Sequence, residues 1–150
     1  MKRILVVEDN HLKAEQITNT IRRAYEVSFE IVPTISGAYA VLEHDHWDLV
    51  ILDMTFQVSK GLGQAVRKEG LAGLELLQYM LGKRIKFPVI VATQHTMFSQ
   101  GIINVSSIEE LHRLLGEAFP DIYKTTVRID LANDQWHSQL LFAVKGVFGV

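Results

Sequence analysis

Short apolar runs recur along the chain, and three of them stop at a polar residue that could do chemistry. Ile4 to Val7 is followed by Glu8-Asp9-Asn10, Leu49 to Leu52 by Asp53, and Val89 to Ala92 by Thr93. Unbroken runs of branched apolar residues suit strands buried on both faces of a parallel sheet. Two further runs complete the set. Val27 to Val32 predicts a strand with Phe29, Ile31 and Val32 facing inward and Pro33 as its stop, and Tyr123 to Ile129 predicts a β-branched strand near the end.

Helical spacing fills the gaps between these strands. Asn10 can cap a helix with Leu12, Ile17, Ile21 and Ala24 on its apolar face, and Lys13, Glu15, Gln16, Arg22 and Arg23 on its polar face. A second helix opens at Ser36-Gly37 and ends near His44-Asp45-His46. Ala72 to Leu81 is a third, closed by Gly82 and the basic residues after it. Ser106 or Ser107 caps a fourth, with Leu111, Leu114, Leu115 and Ala118 inward. Asn133 or Asp134 caps a last one through Trp136, Leu140, Leu141 and Val144. Two stretches predict no regular element: Phe56 to Gly70, which is rich in glycine, and Gln94 to Ser107, read as a loop of mixed character.

Strand and helix therefore alternate five times. This predicts an α/β fold with a parallel sheet and helices on both faces. Five strands suit the flavodoxin-like, doubly wound order 2-1-3-4-5, which sets the first and third strands side by side. Glu8, Asp9 and Asp53 would then meet at the carboxyl edge of the sheet, where such folds bind ligands.

Composition narrows the picture. The 150 residues carry a net charge of −2, so no basic field points to nucleic acid. There is no cysteine, which removes disulfide and thiol chemistry and fits a reducing compartment. The apolar start is broken at once by Glu8-Asp9, too soon for a secretory leader, and no apolar run approaches a membrane span. The expectation is one soluble cytoplasmic domain.

Three converging carboxylates repel one another unless some take up protons or a cation joins them. Mg²⁺, or Mn²⁺ in its place, suits oxygen donors of this kind. A carboxylate can also attack phosphorus and form an aspartyl phosphate.

At VVEDN (Val6 to Asn10), LVILDMT (Leu49 to Thr55), GLELL (Gly73 to Leu77) and FPVIVAT (Phe87 to Thr93), the chain resembles the response-regulator receiver domain of two-component signalling. The resemblance implies that Asp53 is the phosphoacceptor. It implies that Glu8, Asp9 and Asp53 hold the divalent ion with the Thr55 backbone carbonyl, and that Thr93 is the switch hydroxyl. It also implies a partner histidine kinase or phosphotransfer protein, an output through a changed protein contact, and no enzymatic activity beyond self-directed phosphotransfer and autodephosphorylation. On this reading residues 1–150 are a single receiver domain without an output domain, contacting neither nucleic acid nor membrane and leaving a homodimer open.

The chain departs from the receiver pattern twice. The connection from Phe56 to Ala72 is longer than receivers need, giving an inserted loop at about 56–72. Its Lys60, Arg67 and Lys68 could cover a phosphate or be solvated. The Lys-Pro pair that ends the last strand of receivers is also missing. Alignment puts Arg128 at the lysine position and Ile129 at the proline, and arginine is bulkier and forked. These departures motivate an alternative, a pseudo-receiver acting as a phosphorylation-independent interaction module. A phosphohydrolase of the haloacid dehalogenase type ranks below both, because Thr55 stands where its second aspartate would be. A Rossmann nucleotide binder ranks lower still, because the first strand is followed by Glu-Asp-Asn and not by glycines.

Overall fold

The computed structural model describes residues 1–55, 72–95, 98–100 and 103–150. Their elements, in chain order, are β1 (Lys2–Val7), α1 (His11–Arg22), β2 (Val27–Val32), α2 (Ile35–His44), β3 (Leu49–Leu52), α3 (Ala72–Gly82), β4 (Val89–Thr93), β5 (Phe98–Gln100), β6 (Ile103–Val105), α4 (Ile108–Ala118), β7 (Tyr123–Arg128) and α5 (Trp136–Phe148). The main sheet runs β2-β1-β3-β4-β7 with every pair parallel. Counting only its five strands, this is the order 2-1-3-4-5 that the alternation predicts.

Strand alternation divides the core in two. Ile4, Val6, Leu49, Ile51, Ile90 and Ala92 face α1 and α5, meeting Ile17, Ile21, Trp136 and Leu140. Leu5, Val7, Val50, Leu52, Val89 and Val91 face α2, α3 and α4, meeting Leu42, Leu77, Leu111 and Leu115. All of β3 and β4 is buried. Successive strand side chains point to opposite faces, so a strand covered by helices on both sides must be apolar throughout.

Several local expectations need correcting. Residues 94–107, read as a loop, contain the antiparallel pair β5–β6, with Phe98 opposite Val105. In α1 the inward residues are Ala14, Ile17 and Ile21 together with Lys13, Thr18 and Thr20. Leu12 is 54% exposed, and Ala24 lies beyond the helix and is exposed. On β2 Ile31 is exposed, because β2 is an edge strand with one neighbour. At the end of α4 Ala118 is exposed and Phe119 takes the buried place. Of the two candidate caps for α4, Ser107 accepts from Glu110 N, while Glu110 reaches back to the Ser106 hydroxyl at 2.9 Å. α5 has no side-chain cap; Asn133 instead accepts from Gln135 N, just ahead of it. The expected inserted loop at 56–72 falls, up to residue 71, outside the described residues, and Lys60, Arg67 and Lys68 with it.

Candidate functional site

The acidic residues stand where strands end. The ladder runs one step past β1 and β3: Glu8 N donates to Val32 O, and Asp53 N donates to Val7 O. Those bonds fix the backbone from which the two side chains project. Glu8 is 3% exposed and Asp53 2%, while Asp9 is half-buried. One ligand oxygen from each of Glu8, Asp9 and Asp53 can be chosen so that all lie within 4.8 Å of one another. The expected convergence of the three carboxylates is thus present.

A fourth charge sits among them. Lys13, in the first turn of α1, is 1% exposed. Its Nζ lies 2.6 Å from Glu8 Oε1 and 3.3 Å from Asp53 Oδ1, and it donates a 2.8 Å hydrogen bond to Ala92 O. The ammonium therefore touches groups following β1 and β3 and the body of β4. Sequence reasoning placed Lys13 on the polar face by its charge. The missed signal is spacing: Lys13, Ile17 and Ile21 recur every four residues, so the lysine lies on the buried stripe.

Burial pushes the Glu8 carboxyl up to about 7, and repulsion by Asp53 adds to this while Lys13 opposes it. Glu8 thus holds its proton more tightly in the folded chain than in the unfolded one. Its contribution to stability is complete below the ordinary value of 4.5 and is lost as pH rises through about 7. In metal-free buffer, the wild type is expected to lose stability relative to Glu8→Gln as pH is raised across that window. Urea titrations of both proteins check this; a gap that stays constant with pH contradicts it.

Thr93, fully buried, ends β4, and its hydroxyl accepts from His95 N at 3.2 Å. Thr55 N lies 3.4 Å from Asp53 Oδ1, and the buried Thr55 hydroxyl has no hydrogen-bond partner among the described residues. Arg128 pairs in register with Thr93 across the ladder, but its side chain is exposed. It lines a surface hollow with Asp130, Asn133 and Gln135, and among the described residues it makes no ion pair with the acids. The structure brings Glu8, Asp9, Asp53, Thr55 and Thr93 to one edge and turns Arg128 outward.

Gly73 sets how closely α3 approaches this edge. Its N–H donates to Met54 O at 2.9 Å, and a Cβ there would stand 2.6 Å from Asp53 O and 2.9 Å from Met54 Cα. Because the clash is with backbone, Gly73→Ala is expected to cost about 1–3 kcal/mol, read as a lower urea midpoint with the slope unchanged. A variant as stable as the wild type would mean the approach is not tight.

No protein-family model matches the chain. The Detocs response regulatory protein DtcB of Enterobacter cloacae is 25% identical over 147 residues, covering 93% of this chain and 95% of that protein. Among solved structures, the non-phosphorylated HemR receiver domain of Leptospira biflexa aligns with TM-score 0.64 at 20% identity, covering 100% of this chain and 96% of that one. The response regulator TrrA of Thermotoga maritima, crystallised with Mg²⁺-BeF, aligns with TM-score 0.63 at 21% identity, covering 98% and 99%. The chain has the CheY-like receiver fold, and it is similar in sequence to a response regulatory protein. No described helix is long and apolar enough to cross a membrane.

Proposed function

We propose that this chain accepts a phosphoryl group on Asp53, with Mg²⁺, from a partner histidine kinase or phosphotransfer protein, and thereby changes a protein contact. One observation carries the reading. Asp53 is a buried carboxylate at the carboxyl end of a central strand, with Glu8 and Asp9 oxygens within 4.8 Å. The donors fit a hard divalent cation: three carboxylates and the Lys13 ammonium leave a formal charge of −2 when all are ionised. Glu8, Asp9 and Asp53, with the Thr55 carbonyl, would hold the ion, which would offset negative charge as the phosphoryl group arrives. TrrA, similar in fold, was crystallised with Mg²⁺-BeF.

In the transfer an Asp53 carboxylate oxygen bonds to phosphorus while the donor's bond to phosphorus breaks and its electron pair leaves with the donor. The Thr93 hydroxyl, at the end of the neighbouring strand, would turn toward the new group and bias the surface beyond β4. The test is intact-mass measurement after incubation with acetyl phosphate, with and without Mg²⁺. The expected result is a gain of one phosphoryl group that requires the metal.

The second reading, a phosphorylation-independent module, is favoured by the pairing of Lys13 with both Glu8 and Asp53, which already compensates part of the site's charge. Folded protein that binds Mg²⁺ and gains no phosphoryl group would support it.

A further inference from the structure

We propose that Lys13 is the positioning residue of this site. It holds the Asp53 carboxylate for phosphoryl transfer, and it neutralises charge on the phosphoaspartate that results. This rests on the receiver reading above.

The position of Lys13 is unfavourable unless the charge is used. A cation in the first turn of a helix opposes the macrodipole. A lysine that only packs lays its stem on apolar surface and brings its ammonium to water. Lys13 reaches no water, being 1% exposed, and its ammonium faces three oxygen acceptors, from Glu8, Asp53 and Ala92. Ala92 O takes one of its N–H donors in a hydrogen bond, and the Glu8 and Asp53 oxygens lie beside it as ion-pair partners. The bond to Ala92 O fixes Nζ one residue before Thr93. The cation thus joins the proposed acceptor to the strand that ends in the proposed switch hydroxyl.

The described contacts on the acceptor agree with an orienting role. Lys13 Nζ and Thr55 N both approach Asp53 Oδ1, which fixes the rotation of the carboxylate. During transfer, an Asp53 oxygen–phosphorus bond forms and the donor's phosphorus bond breaks, its electron pair leaving as acetate when acetyl phosphate is the donor. Asp53 carries one negative charge before the step, and the acyl phosphate carries two after it. A fixed cation beside Asp53 therefore interacts more strongly with product than with reactant, which is what a preorganised charge must do to help. Arg128, at the strand end where a basic residue was expected, is exposed and makes no ion pair with the acids among the described residues. The cation comes from α1 instead.

The absence of cysteine makes a clean test available. Lys13→Met keeps the length and removes the charge. Lys13→Gln is a second neutral variant that can still donate to Ala92 O. Lys13→Cys, alkylated with 2-bromoethylamine while unfolded and then refolded, restores an ammonium at the reach of lysine. Wild type taken through the same cycle is the control. The rate of Asp53 phosphorylation by acetyl phosphate at saturating Mg²⁺ is read by intact mass, with circular dichroism as the check on folding. The neutral variants should be slower by about a hundredfold, and the aminoethylated protein should regain most of the rate.

A neutral variant that folds and is phosphorylated at the wild-type rate overturns the proposal and leaves the receiver reading standing. Neutral variants that do not fold overturn it in favour of a purely structural lysine. Wild type that takes no phosphoryl group overturns this proposal together with the receiver reading it rests on.

Discussion

Asp53→Asn is expected to abolish the phosphoryl gain while leaving the protein folded, and at neutral pH at least about as stable as the wild type. An amide oxygen is a poor nucleophile toward phosphorus, so the covalent step has no substitute at this position. Stability is expected to hold because the asparagine oxygen can still accept from Thr55 N and from Lys13, which now stand 3.4 Å and 3.3 Å from Asp53 Oδ1. One source of repulsion also disappears. Asp53 contributes to the raised pKa of Glu8, so its neutralisation lets Glu8 ionise more readily beside Lys13. The expected change is within about 1 kcal/mol of zero or stabilising. Intact mass after acetyl phosphate treatment, and a urea titration of each protein, check the two halves separately. A phosphoryl gain that survives in Asp53→Asn would place the acceptor elsewhere and sink the proposed role of this residue.

The fold could be read from the chain because its strands are covered on both faces. The unbroken runs Leu49 to Leu52 and Val89 to Ala92 leave little choice but a parallel sheet between helices. The polar residues that end those runs then mark one edge, so Glu8, Asp9 and Asp53 were legible as a cluster before any geometry. Edges and ends were harder. On β2 a single sheet neighbour leaves Ile31 outward, and hydropathy alone cannot register this. The three-residue strands β5 and β6 are too short to show alternation, so residues 94–107 read as a loop.

The larger miss was Lys13. Charge and spacing disagree here: hydropathy turns the apolar Leu12 inward and the charged Lys13 outward. The helix does the reverse, because residue 13 shares a stripe with Ile17 and Ile21. Burying a lysine is costly in general, and sequence alone cannot show that three acceptors from separate strands offset the cost. Arg128 was reached by aligning strand ends, which fixes backbone register and not where a long side chain points.

Lys13→Met is expected to destabilise the metal-free protein by about 3–5 kcal/mol at pH 8, a large share of the stability of a domain this size. The reason is what the lysine leaves behind. Glu8 and Asp53 are 3% and 2% exposed, and each would lose its described cation. Removing one partner of a buried pair costs far more than the pair itself contributes, because the charge left behind loses the compensation that partner supplied. The cost can be relieved in two ways, and both are measurable. Protonation of Glu8 is one. Lys13 now lowers the pKa of Glu8, so without it the carboxyl holds its proton to higher pH, and the deficit shrinks as pH falls toward about 7. A divalent cation among the same oxygens is the other. Urea titrations in chelator at about pH 5 and pH 8, repeated with Mg²⁺, should show the widest gap between variant and wild type at the higher pH without metal. A deficit of the same size under all these conditions would instead mean that Lys13 contributes only packing and its bond to Ala92, and that the charge inside the cluster is incidental to the fold.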